Sequence, residues 1–267
     1  ADYWHELRHE LRRRFKVFSL PQVSAAGDQT PYNRFLPESS AEERMRYLSK
    51  RNLQEEIAMR ITDAIAKVLP VIHKEIDWCP VFAHHTEIVE LPRRKLSPDD
   101  VQKALTEAEA QWKKYKELEK QFEEFPHKQN KTRWYVDISS AYNKAQRGER
   151  VRQRFLAQQQ NPGLPVEMHV IRLGDIAFVT NPFELYLDYG MQIKGRSPAV
   201  QTFVVQLTGS GTYVPTAHSI AGGGYGAIPA STEIGVEGGN ALVEWSVKTL
   251  TQMWRTRHQV PLLTTPL

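Results

Sequence analysis

In the run FVTNPFEL, Phe178 to Leu185, an apolar strand-like segment ends at Asn181-Pro182, and a carboxylate, Glu184, follows with an apolar neighbour on each side. An ionised carboxylate buried there without a partner would be costly, so either Glu184 turns to water or a pocket requires it. Two further places offer reactive oxygens. The loop GDQTP, Gly27 to Pro31, carries the Asp28 carboxylate and the Thr30 hydroxyl, while the glycine-rich segments TYVPT and GGGYG carry the phenols of Tyr213 and Tyr225. Such groups serve acid–base and nucleophilic chemistry when they converge. Each also has an ordinary use: a turn for GDQTP, a helix N-terminal carboxylate stabilised by the macrodipole for Glu184, a pair of loop aromatics for the tyrosines. Residue types alone leave both uses open.

Motifs of other chemistries fail. The sequence holds no GxSxG elbow, no Walker loop and no HExxH. AGGGYG has no strand before it and no helix directly after it, so it does not fit a dinucleotide fingerprint. His5 and His9 share a helix face at a spacing of four, but that face also carries arginines. His84 and His85 are adjacent on a strand-like run and should point to opposite faces. A single cysteine, Cys79, excludes an internal disulfide framework and a multi-cysteine zinc site.

The elements that would position these groups follow from periodicity and caps. Leu7, Leu11 and Phe15 mark a helix over 5–15, and Val17-Phe18-Ser19-Leu20 reads as a buried strand leading into QVSAAGDQTP. Ser40 with Glu43 forms a capping-box pattern before Met45, Leu48, Leu53, Ile57, Ile61 and Ile65, predicting one long helix that ends before Pro70. The run from His84 to Leu91 alternates like a strand and stops at Pro92. Ser97, Pro98 and Asp100 cap a second long helix, and SAYNKAQRGERVRQRFLAQQQ adds a third, giving a charge-rich helical hairpin over 97–160.

After Asn161-Pro162-Gly163, VEMHVIRLGDIAFVT reads as two strands around Gly174-Asp175. FELYLDYGMQIK reads as a helix stopping at Gly195, and QTFVVQL as another strand. A last helix carries Leu242, Trp245, Leu250 and Trp254. This order predicts an α/β fold, a mixed sheet with flanking helices and a helical hairpin excursion, in one domain over 1–267.

At 267 residues, with 40% hydrophobic and 25% charged residues, the composition is that of a chain able to bury a core. No run reaches the roughly 18 to 20 apolar residues of a membrane span. The net charge of +4 sits in short clusters such as Arg12-Arg13-Arg14 and Arg93-Arg94-Lys95. These read mainly as solvated faces rather than the broad basic stripe of a nucleic-acid binder, so nucleic acid is not an expected partner. The sequence opens with ADYWHELRHELRRRF, without an initiator methionine or signal segment, and is expected to continue a longer chain.

Three segments together resemble the neutral/alkaline ceramidases, zinc-dependent amidases that release sphingosine and a fatty acid from ceramide. The family's GDVSPN-like loop is similar to AGDQTPYN at 26–33. Its PxEF-type motif after an LxIGxxAIV-like strand is similar to LGDIAFVTNPFEL at 173–185. Its YxTT segment, with a second tyrosine twelve residues on in a YEAAS context, is similar to Tyr213 in YVPT and Tyr225 in YGAIPAS. The resemblance spans roughly residues 1 to 250, the hairpin least of all, and implies the C-terminal part of a larger catalytic domain.

The resemblance implies Zn2+ as cofactor, with Glu184 and Tyr213 as metal ligands. Tyr225 is implied to face the substrate amide, Asp28 to contribute to substrate binding and Thr30 to stand at the nucleophile position. A carboxylate and a phenolate are hard oxygen ligands, and zinc would give Glu184 the opposite charge it needs. The expected substrate is a lipid-like N-acyl amide, the expected location exported (periplasmic or extracellular), with peripheral membrane contact.

Thr30 replaces the family's serine, leaving water as the competing attacking group, and PYN replaces PN. The family's histidine ligands lie upstream of its GDVSPN loop, so they are expected from an N-terminal segment or a second polypeptide; its C-terminal immunoglobulin-like domain has no counterpart here. The competing expectation is a non-catalytic module on the same scaffold, binding a lipid, glycan or protein through the helical hairpin.

Overall fold

The structure, a computed structural model, describes residues 2–30 and 41–255. Helix α1 (Tyr3–Phe15) buries Leu7 and Leu11 against Ala58 of α3 (Leu53–Ile72), with Trp4, Phe15, Ile61 and Ile65 around them. The long helix expected ahead of Pro70 is instead two, α2 (Ala41–Ser49) and α3. Lys50 takes a positive φ of 55°, and Asn52 restarts the chain with a reciprocal capping box to Glu55. Pro70 lies inside α3, two residues from its end, so the helix runs a fraction of a turn past the residue expected to stop it. Ser40, the expected cap, is outside the described residues.

The strand expected at 17–20 does not form. Phe18 is 88% exposed, stacked under the Arg12 guanidinium, and Leu20 is 86% exposed, because no sheet edge lies alongside them. The chain beyond is tied to the body by single bonds: Gln206 N–H donates to the Val23 carbonyl, and Gly27 N–H to that of Leu185.

The body is a four-stranded mixed sheet. Strand β1 (Phe82–Pro92) pairs antiparallel with β2 (Gly163–Leu173), which turns through Gly174 (φ 60°) into antiparallel β3 (Ile176–Thr180). A further strand, Gln201–Val205, joins parallel to β3 at the edge. Alternation puts Val166, Met168, Val170, Ala177, Val179 and Val204 on one face. They pack into one core with Tyr189 and Ile193, and with Leu242, Val243 and Leu250 of the last helix, Val236–Arg255. The α/β class and the mixed, helix-flanked sheet are as expected from sequence.

Between β1 and β2 rises the hairpin, α4 (Pro98–Glu124) and α5 (Tyr135–Gln160), bridged by a short 3-10 turn at Pro126–Asn130. Ser97 caps α4 as its sequence predicts: its hydroxyl accepts from Asp100 N–H, and the Asp100 carboxylate accepts from Ser97 N–H. The two helices meet at Gly148 against Ala108, with Ala141 and Ala145 also buried, and further out through rings, Trp112 on Tyr142 at 5.6 Å and Phe122 on Trp134 at 5.2 Å. A methyl group at Gly148 would stand 2.7 Å from Ala108 Cβ and 2.9 Å from the Ala104 carbonyl, so the helices are as close as their backbones allow.

Candidate functional site

The expected helix over 183–194 starts late, and that shift builds the site. Phe183 is in the core; Glu184–Leu185 form a two-residue strand, β4; helix α6 follows at Leu187–Arg196, running one residue past Gly195. Buried Asn181 makes the turn that sends the chain there. Its N–H donates to the Val205 carbonyl, and its side-chain oxygen accepts from Phe183 N–H at 3.1 Å. With these residues following β3, the strand at 201–205, β5, passes beside them, and its neighbour Gln206 accepts from Leu185 N–H at 2.8 Å.

Strand β4 pairs parallel with β6 (Tyr213–Val214), and the register sets Glu184 against Tyr213 and Leu185 against Val214. Leu185 and Val214 are fully buried. By alternation, the Glu184 and Tyr213 side chains therefore share the opposite face. The Tyr213 hydroxyl donates to the Glu184 carboxylate, and burial, reinforced by that bond, pushes the Tyr213 phenol up to about 12. The awkward carboxylate of FVTNPFEL thus has its partner.

Two loops close on this pair. A Cβ at Gly27 would stand 2.5 Å from the Glu184 carbonyl oxygen, and one at Gly226 would stand 2.5 Å from the Tyr186 hydroxyl and 3.1 Å from the Tyr213 ring. Only glycine lets the GDQTP and GGGYG loops approach so closely. Tyr225, 63% exposed, meets Tyr213 edge-on at a centroid distance of 5.8 Å. Tyr186 meets the same ring from another side at 6.4 Å. Its phenol is raised by burial first and then by the charge on Asp28. Tyr186 falls within the segment expected as a helix; its position two residues after Glu184, just beyond Pro182, is its only local signal.

Asp28 has a structural use beside its expected one. Its Oδ1 accepts from Leu187 N–H at 2.8 Å, capping α6, whose own preceding residue, Tyr186, makes no side-chain cap. Thr30 is exposed, two residues beyond Asp28, and Pro31 to Asn33 of the same motif are outside the described residues. Glu184, Tyr213 and Tyr225 are brought together, with the Asp28 loop packed on the backbone of the pair.

The arginine cluster at 93–95 is not the solvated face expected. Arg94 Nη1 donates to the Ala227 carbonyl at 2.6 Å and to Thr232 Oγ1 at 2.7 Å. Arg154 of α5 donates to the carbonyls of Pro229 at 2.9 Å and Thr232 at 3.3 Å. Burial holds both guanidinium groups below the usual arginine range. Together with Arg147, whose guanidinium carbon lies 5.3 Å over the Tyr225 ring, they tie the tyrosine loop to the hairpin. Long-range contacts of this kind leave no local sequence signal.

A carboxylate and a phenol on one face fit two of the four positions of a zinc site. Among the described residues, no group of three His, Cys, Asp or Glu side chains is arranged to hold a metal. His84 and His85 do face opposite ways. His84 bonds His169 at 3.0 Å, and His85 lies with Glu87 and Trp245. Among the described residues, no helix is long and apolar enough to cross a membrane. Comparison with protein-family models, with curated proteins and with solved structures finds no match for this chain.

Proposed function

We propose that this chain is part of a zinc-dependent amidohydrolase that cleaves an N-acyl, ceramide-like amide to a fatty acid and an amine. The observation that carries the reading is the in-register pair of Glu184 and Tyr213, with Tyr225 edge-on beside it. The likeness of three separated motifs to the ceramidases adds support, since the segments that carry them pack on one another. Export to the periplasm or exterior belongs to the same proposal.

Glu184 and Tyr213 would hold the metal, the phenolic proton now between them being the group displaced. The remaining, histidine ligands would come from an upstream segment or a second chain. When bound, zinc supplies a positive charge that polarises the amide carbonyl and lowers the pKa of water or a hydroxyl. Water, or Thr30 followed by a water that hydrolyses the resulting ester, would form the new bond to the acyl carbon as the C–N bond breaks, its released proton replacing the one that Tyr225 passes to the amine. Tyr225, exposed at the mouth, orients the amide and gives a proton to the departing amine. Tyr186 and Tyr213 wall the recess, and Asp28 holds the entry of α6 against it.

The test is metal content and hydrolysis of the complete protein, using N-acyl sphingoids, N-acyl amino acids and simple lipid amides. Glu184→Ala should lose both bound zinc and hydrolysis. A wild-type protein without zinc, or a Glu184→Ala variant retaining zinc and activity, would overturn the proposal and leave a binding module on this scaffold.

A further inference from the structure

The far end of the helical hairpin is built unlike its shaft. From Pro126 to Val136 the sequence PHKQNKTRWYV holds three cations, Lys128, Lys131 and Arg133, and no acid. Aromatic rings are exposed among them: Phe125, Trp134 and Tyr135 each present a third or more of their surface, and Val136 does likewise. They form a fixed platform, because Trp134 packs edge-on against Phe122 at 5.2 Å and against Tyr135 at 6.1 Å. Lys128 Nζ lies 4.8 Å over the Phe125 ring. Below them Tyr115, Trp134, Tyr135, Ile138 and Tyr142 line an open groove of about 420 Å3. The rings also join the two helices, Phe122 to Trp134 and Tyr115 to Tyr142 at 5.6 Å, yet their outer faces, with Phe125, Tyr135 and Val136, stay open to solvent.

Trp and Tyr have an apolar body and a polar tip, and they favour the boundary between hydrocarbon and headgroups. Lys and Arg beside them are drawn to anionic headgroups, each raising partitioning about fivefold. A single-stranded nucleic acid could use the charges and stack on the rings, but it would gain nothing from the adjoining exposed Val136, which a bilayer rewards. The 27 residues of α4 extend ~40 Å, which carries the tip clear of the sheet so that a flat surface can meet it. Tyr135 stands twelve residues beyond Arg147, the residue over Tyr225, or ~18 Å of helix.

We infer that the hairpin tip, Phe125 to Val136, is a docking surface for an anionic bilayer. It holds Tyr225 ~18 Å along the helix from the lipid surface, and it stands independently of the metal reading.

Cosedimentation of the whole chain with vesicles tests this, using phosphatidylcholine alone and an equimolar mixture with phosphatidylglycerol. Binding is expected to the mixed vesicles in low salt, with tryptophan emission quenched by a lipid-borne quencher. The exposed-charge variant K128Q/K131Q/R133Q should bind roughly a hundredfold more weakly with an unchanged circular dichroism spectrum. W134A/Y135A should lose binding and most of the quenching. No binding to the mixed vesicles, or a charge variant that binds like the wild type, would overturn the inference. So would an aromatic variant that binds undiminished, which would mark the tip as a site for soluble polyanions. Self-association without vesicles, abolished by W134A/Y135A, would instead assign the surface to a second copy of this chain.

Discussion

The sheet body and the helical hairpin are held by opposite means. The body buries large side chains, Leu91, Met168, Phe183, Tyr189 and Leu242, contributed by segments spread widely along the sequence. The hairpin fully buries only small residues such as Ala108, Ala141, Ala145 and Gly148, while its rings, Trp112 on Tyr142 and Phe122 on Trp134, join the helices from a half-open side. The body can therefore support two-residue strands such as β4 and β6, which no local preference would sustain. The hairpin, held by contacts between two adjacent helices, keeps the outer faces of its tip rings exposed. The candidate site lies where the two meet: the body provides Glu184 and Tyr213, and the hairpin clamps the loop of Tyr225 through Arg147 and Arg154.

The contrast can be broken at four places. The largest effect is expected from Phe183→Ala in the body, a loss of ~3–5 kcal/mol by cavity formation, read as a drop in the urea midpoint of the whole chain. Next, Arg154→Met removes charged donors from two carbonyls of the tyrosine loop, at a cost of about 1.5–3 kcal/mol. Hydrogen exchange should rise at 227–232 while the sheet amides stay protected.

Gly148→Val forces the hairpin helices apart for about 1–3 kcal/mol. Exchange should rise in α4 and α5 first, and loss of protection in β2 and β3 to the same degree would show that hairpin and body are one cooperative unit. The smallest effect lies in the α1–α3 unit. Hydrogen bonding to Arg13 and Arg14 holds the Glu10 carboxyl down, from 4.5 to about 2. A depressed carboxyl contributes stability that is present above its unfolded pKa and is lost as pH falls through the folded one. Helix α1 should therefore loosen between pH 4.5 and about 2, and Glu10→Gln should flatten that pH dependence.

How much of this could be read beforehand follows from the range of the forces involved. Strands β2 and β3, their turn at Gly174, the Ser97 cap and the hairpin were legible because period, cap and turn chemistry are local. The break at Lys50 was obscured because Met45 to Ile65 keep an apolar spacing across it, and the strand expected at 17–20 lacked only a neighbour to pair with. At the site, Glu184, Tyr213 and Tyr225 were each singled out, the first as a carboxylate among apolar residues, the others as phenols in glycine-rich loops. Their adjacency depends on a parallel register that pairs residue 184 with 213 and 185 with 214, which neither segment encodes alone. Arg94 and Arg154, which donate to backbone carbonyls rather than to acids, were invisible to charge pairing for the same reason.

The central claim is that Glu184 and Tyr213 form part of a zinc site, and zinc titration of the complete, metal-stripped protein followed by difference absorption of tyrosine tests it most directly. A stoichiometric tyrosinate signal at neutral pH, absent in Tyr213→Phe and in Glu184→Gln, is the predicted result. Zinc binding with no tyrosinate signal, or a signal unchanged in both variants, would contradict it.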